Sequence, residues 1–196
     1  MGLKPIKDTI ADDIPVFAKV LELFTGGFSL VSTNLRDDVI LPAGSLFTVS
    51  ETTRQATPIK TAKMVTNATA NQLTYLVDNA AYLKVGDIIG ATGSATGHGI
   101  TKIEASGDND VLTVATSFGA AVATGDVLYK VSAAGGNVVS GTANAISMYD
   151  VKAGADNLSE GVTMLRRGTA YKNRLQPHLA GHLTDVDAVI QISESY

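Results

Sequence analysis

Two phrases frame the middle of the chain. Lys84-Val85-Gly86-Asp87-Ile88-Ile89 opens a stretch that Ala123-Thr124-Gly125-Asp126-Val127-Leu128 closes, and together they bound a segment running from Ala81 to Lys130. In each phrase Gly-Asp supplies a turn, and the apolar or β-branched residues behind it enter a strand. Between them Ile100 and Ile103 flank polar Thr101 and Lys102, and Val111-Leu112-Thr113-Val114 follows a Gly107-Asp108-Asn109-Asp110 turn. The grammar is that of a compact antiparallel β module with no catalytic residue type in a telling position.

Outward from this module the same grammar continues. Val39-Ile40-Leu41 and Leu46-Phe47-Thr48-Val49 read as strands on either side of a Pro42-Ala43-Gly44 turn, where Pro presets φ and Gly takes positive φ. Pro15 to Phe24 reads as either a short helix, with Val16, Val20 and Leu23 on one face, or a strand; the Thr25-Gly26-Gly27 turn and Phe28 to Val31 after it favour the strand and a hairpin. Glu51 to Lys63, rich in Thr and Lys, reads as a linker into the module. Beyond Lys130, Ala143–Val151 alternates small, apolar and polar residues, strands are expected at Val162–Ala170 and Val186–Ile192, and a short helix or turn is expected around Pro177. Few segments sustain a period of 3.6 over ten residues, so the expected class is mainly β. The expected architecture is an antiparallel β-barrel or sandwich core with an inserted β module and an extended N-terminal arm. Residues 1–38 hold the arm and hairpin. Residues 39–60 and 131–196 form a discontinuous core, and 61–130 form the inserted Gly-Asp module.

Bulk properties narrow the function. The 196 residues are 45% hydrophobic, enough to bury a core, and only 17% charged, against about 25% for a typical domain. A net charge of -4 offers no basic face for nucleic acid. No run reaches the roughly 18 apolar residues of a membrane helix. Asp8, Asp12 and Asp13 interrupt any signal-peptide core. With no cysteine, neither disulfides nor thiolate metal sites contribute.

The chemical candidates are few. His178 and His182, four residues apart, would share a helix face as zinc ligands do, with Asp185 and Asp187 nearby. The intervening Leu179-Ala180-Gly181 carries no glutamate base and weakens a helix, which favours an ordinary histidine pair. Gly90 to Gly99 has the glycine content of a phosphate cradle, but Ile100-Thr101-Lys102-Ile103 after it reads as a strand rather than the helix such a cradle needs, so a hairpin tip is expected. Gly107 to Asp110 lacks the 12-residue ligand pattern of a calcium loop. Arg166-Arg167 suits either a bidentate contact to a partner's acidic patch or a charge that guards a strand edge. No catalytic, cofactor or metal site residues are assigned, and no nucleophile elbow stands out.

Three segments resemble, in order, the small β-rich head decoration proteins of tailed phages. Leu41-Pro42-Ala43-Gly44-Ser45-Leu46-Phe47 is similar to their apolar-Pro-x-Gly-x-apolar strand. Asn144-Ala145-Ile146-Ser147-Met148-Tyr149-Asp150-Val151 resembles their Ala-x-Gly-Ile-x-x-x-Asp-Val strand, with Ser147 in place of a glycine. Val162-Thr163-Met164-Leu165-Arg166-Arg167-Gly168-Thr169-Ala170 resembles their Val-x-Val-x-x-Arg-Gly-x-Val strand. The chain is longer than that family, and its inserted module is similar to the knob or stem of phage head fibres. The resemblance implies a non-enzymatic virion protein on the outer capsid surface, a homotrimer that braces the major capsid protein, with residues 1–38 as an expected capsid or subunit contact; no cofactor is expected. The alternative is a carbohydrate- or receptor-binding β domain, disfavoured by 6% aromatics and no Trp.

Overall fold

The structure is a computed structural model that describes residues 15–33, 35–37, 39–92, 96–153, 161–186 and 189–194. The chain begins with β1 (Phe17–Leu23), β2 (Phe28–Leu30), β3 (Ile40–Leu41), β4 (Leu46–Ser50) and β5 (Gln55–Pro58). The middle segment adds β6 (Thr61–Lys63), β7 (Thr74–Val77), β8 (Ile88–Ala91), β9 (His98–Ser106), β10 (Asn109–Val114) and β11 (Val127–Lys130). The chain returns through β12 (Ala145–Ser147), β13 (Val151–Lys152), β14 (Gly161–Val162) and β15 (Met164–Tyr171). It then makes two short 3-10 turns, Lys172–Arg174 and Ala180–His182, and ends in β16 (Ile190–Ser193). The protein is mainly β.

Residues 61–130 form a six-stranded sheet of their own, in the order β6-β11-β8-β9-β10-β7. Its apolar cluster is drawn from the same segment, with Tyr75, Leu83, Ile89, Leu112 and Leu128 fully buried. Alternation places these side chains. Along β10, Leu112 and Val114 are buried while Val111 and Thr113 are only partly so, as period-2 patterning requires. The sheet curls toward closure. Met64 bridges Val77, the Asp78 N–H donates to Lys63 O at 3.0 Å, and the Val65 N–H donates to Leu76 O at 2.9 Å, which brings the end of β7 back against β6.

The repeated Gly-Asp phrase builds the same turn twice. Gly86 and Gly125 sit at φ +94° and +90°, where a side chain would be strained. Asp87 Oδ2 accepts the Lys84 N–H and Asp126 Oδ2 accepts the Ala123 N–H, each at 2.8 Å. The two turns lie 39 residues apart in sequence. So do two cross-strand partners, Thr74 with Thr113 (β7–β10) and Gly90 with Tyr129 (β8–β11). The module is therefore a pseudo-two-fold pair of β units whose equivalent strands face each other across the local axis.

The other large sheet is built from the flanking segments, in the order β1-β15-β12-β4-β5-β2-β14, with β16 also on β15. It is mixed: β2–β5 and β15–β16 run parallel. β3 and β13 form a small separate ladder. Phe47, Leu41 and Met164 centre one apolar cluster, and Leu46, Ile146 and Leu165 another.

Two expectations need correction. The Val16–Val31 hairpin does not form: β1 pairs with β15, while β2 pairs with β5 and β14. Gly26 and Gly27 turn the chain, but the Phe24 N–H donates to Met164 O, and Arg54 draws Phe28 away by reaching Thr25 O and lying 4.8 Å over the Phe28 ring. Long-range pairing outcompetes the local turn. Nor is Glu51–Lys63 a linker, because β5 lies within it and forms an antiparallel pair with β4. The expected arm over Met1–Asp13 lies outside the described residues.

β1 is held close to β15 at Gly168, where an added Cβ would collide with the Lys19 carbonyl oxygen, a rigid backbone atom. Gly168→Ala is expected to cost about 1–3 kcal/mol by forcing β1 outward. Gly99→Ala, with open space around the new methyl, is expected to be near neutral. Urea midpoints of the two variants check this, and equal midpoints would refute the close approach.

Candidate functional site

The densest buried polar chemistry lies where the module meets the flanking sheet. Lys60, in the last step before β6, has a side chain 5% exposed and places Nζ 2.5 Å from Asp87 Oδ2. Lys130, at the end of β11, places Nζ 3.1 Å from Asp87 Oδ1. The strands deliver these groups: the Lys130 N–H donates to Lys60 O, and the β11–β8 ladder carries Lys130 beside Ile89, two residues after Asp87. Burial pushes the Lys60 amine below its ordinary pKa. Asp87 opposes that shift, and the charges of Lys130 and Lys84 add to it. Asp126, the pseudo-symmetric counterpart of Asp87, caps its own turn at the surface.

Beside the bridge, Gln176 is 4% exposed and joins three segments. Its Oε1 accepts the Leu46 N–H at 2.9 Å, and its Nε2 donates to Ile59 O at 2.6 Å and to Thr61 Oγ1 at 2.8 Å. Thr61 Oγ1 in turn donates to Pro177 O at 2.5 Å. Further along the junction Tyr82 leaves the module and enters the apolar cluster of Phe47 and Leu41. Ser45 Oγ donates to Pro42 O at 2.6 Å, so the Tyr82 hydroxyl, 2.7 Å away, donates to Ser45. Burial pushes the Tyr82 hydroxyl pKa upward. Arg36 and Asp110 add a more peripheral contact at 3.4 Å, with the Ala80 N–H also on Asp110.

His178 and His182 do not share a helix face. His182 ends a single 3-10 turn, and its Nδ1 accepts the Leu179 N–H at 3.1 Å, which places the ring proton on Nε2. His178 Nδ1 lies 2.7 Å from Gln176 O. Asp185 accepts from Thr142, and Asp187 lies outside the described residues. Among the described residues no three His, Cys, Asp or Glu side chains gather as metal ligands. The glycine-rich 90–99 stretch joins β8 to β9 as a hairpin, with Ile88 opposite Gly99; residues 93–95 lie outside the described residues. Asp110 is committed to Arg36 and Ala80. Arg166 pairs within the chain, 3.3 Å from Glu22 and 5.5 Å from the Phe24 ring centre.

Burial, with a smaller contribution from the charge of His178, lowers the His182 pKa to about 4, against 6.5 ordinarily. Above pH 6.5 the group is neutral whether folded or unfolded. Below it the unfolded chain binds a proton that the fold resists until about pH 4, so stability falls as pH falls through this window. From pH 7 to pH 5 the expected loss is about 2 kcal/mol. Urea unfolding of wild type and His182→Gln at both pH values checks this. An equal pH dependence in the two proteins would remove His182 as its source.

In the sequence Asp87 is legible only as a turn residue, and no motif marks Lys60, Lys130 or Gln176. The available signal was a lysine in the run Pro58-Ile59-Lys60-Thr61-Ala62, where burial is expected of its neighbours. Compared with known proteins, the chain matches no family model, no curated protein and no solved structure.

Proposed function

We propose that the protein is a non-enzymatic structural component of a tailed-phage virion. It sits on the outer capsid surface, decorating the head or projecting from it, as a homotrimer that braces the major capsid protein. The observation that carries this reading is the edge strand β1, where Val20, Leu21 and Leu23 are 45%, 61% and 36% exposed. A seven-residue edge with apolar side chains open to solvent is a surface that a neighbouring subunit covers. The buried titratable groups also favour a brace over a catalyst: Lys60, Asp87 and His182 are each bonded within the chain. The glycan-binding alternative gains nothing from the module, whose aromatics Tyr75, Tyr82, Phe118 and Tyr129 are buried, leaving no stacking platform.

Light scattering over a dilution series, followed by co-sedimentation with empty phage heads, tests the proposal. A trimer that sediments with heads, and a Leu21→Glu variant that folds but loses one or both properties, are expected. A monomer that ignores heads at every concentration overturns it.

A further inference from the structure

The Lys60–Asp87 contact holds an amine against a carboxyl group away from solvent. The two side chains are 5% and 8% exposed, and Nζ lies 2.5 Å from Oδ2. Pro58, Ile59, Thr61 and Ala62, on either side of Lys60, are buried as well. Two further donors fix the carboxyl group. The Lys84 N–H reaches Oδ2 at 2.8 Å, and the Lys130 ammonium reaches Oδ1 at 3.1 Å. Keeping two full charges out of water is costly even when they are paired, and a neutral amine beside a neutral acid escapes that cost. Burial, the largest influence on the Lys60 amine, acts in this direction. The neutral amine is also the form that attacks a carbonyl carbon. Holding the two groups in contact replaces an encounter between separate molecules with a step inside one.

We propose that Lys60 and Asp87 are the site of an intramolecular isopeptide bond, an amide between the two side chains that staples the first Gly-Asp turn of the module to the flanking segment. Within the ion pair one Lys60 proton passes to Asp87 Oδ2. The freed amine attacks Asp87 Cγ and forms the Nζ–Cγ bond. The negative charge that collects on Oδ1 faces the Lys130 ammonium, which stabilises it. Nζ then gives up a second proton to Oδ2, the Cγ–Oδ2 bond breaks, and Oδ2 leaves as water. One ammonium and one carboxylate thus become one amide and one water, with no outside reactant. The two residues lie 27 apart in sequence, so the bond closes a loop around β6 and β7. It constrains the unfolded chain as a disulfide does, in a protein with no cysteine.

The test is the mass of the full chain. Folded wild type held at neutral pH is expected to weigh one water less than its sequence, and proteolysis is expected to release a branched peptide joining Lys60 to Asp87. Closure of Asp87 onto its own backbone also loses water, but it gives no branched peptide and persists in Lys60→Met. In a time course from cell-free synthesis, Lys130→Met is expected to slow the loss about a hundredfold, and Lys130→Arg, which keeps the cation, to retain most of the rate. A folded wild type of full sequence mass overturns the proposal, as does a water loss that persists in Lys60→Met or yields no branched peptide. An unchanged rate in Lys130→Met overturns the part given to Lys130. The branched peptide is read on wild type, so the result stands even where a variant fails to fold.

Discussion

Asp87→Ala is expected to cost about 3–5 kcal/mol, against about 5–15 kcal/mol for the total stability of an ordinary domain. The loss follows from what remains. Lys60 stays buried with the carboxylate 2.5 Å away gone, while the charges of Lys130 and Lys84 still oppose its own. Part of the cost belongs to the turn, because Asp87 also accepts the Lys84 N–H. The internal repeat supplies the control. Asp126 makes the same turn bond to Ala123 without the lysines, so Asp126→Ala is expected to cost only about 1 kcal/mol. The difference between the two isolates the bridge. Lys60→Met combined with Asp87→Ala is expected to recover much of the loss, since an apolar side chain in that site carries no desolvation cost. Urea midpoints at neutral pH measure all three variants, and equal losses for the two aspartates would mean that the bridge contributes nothing.

Gln176→Leu is expected to cost about 3 kcal/mol or more. Gln176 satisfies a backbone N–H at Leu46 and a backbone carbonyl at Ile59 in a region closed to water, and each group left unpaired costs about 1–3 kcal/mol. Leucine matches the volume and satisfies neither. Gln176→Glu separates the roles: its carboxylate still accepts from Leu46 but opposes the Ile59 carbonyl, so it too is expected to be strongly destabilising. If Gln176→Leu unfolds within about 0.5 kcal/mol of wild type, water is serving both groups and the side chain is dispensable.

These positions show what kind of information each level carries. The Gly-Asp phrases were legible because a turn is a local event. Gly86 and Gly125 need positive φ, and an aspartate one residue on can cap its own turn, so residue type alone announces the structure. The mainly β class was legible for a similar reason, through alternation such as that of Val111 to Val114. A final strand is legible over Val186–Ile192, but β16 spans only Ile190–Ser193, and its parallel pairing with β15 has no local signal.

What failed was pairing between distant segments. Phe17–Leu23 and Phe28–Leu30 look like the arms of one hairpin because proximity in sequence is the only signal available before the fold exists. The free energy that separates β1 from β2 comes from Met164, Arg54 and the β15 ladder, all remote in the chain. The candidate site was illegible for the same reason. Lys60, Asp87 and Lys130 span 70 residues, and no spacing rule joins them; only the β11–β8 and β11–β6 ladders bring them together. Sequence by itself determined the β class, the repeated turns and the periodic apolar faces, which depend on short-range sterics and side-chain alternation. The tertiary structure alone decided the strand partners, the pseudo-two-fold module and the buried bridge, because burial turns two exposed-type charges into a costly pair that only a specific long-range geometry can satisfy.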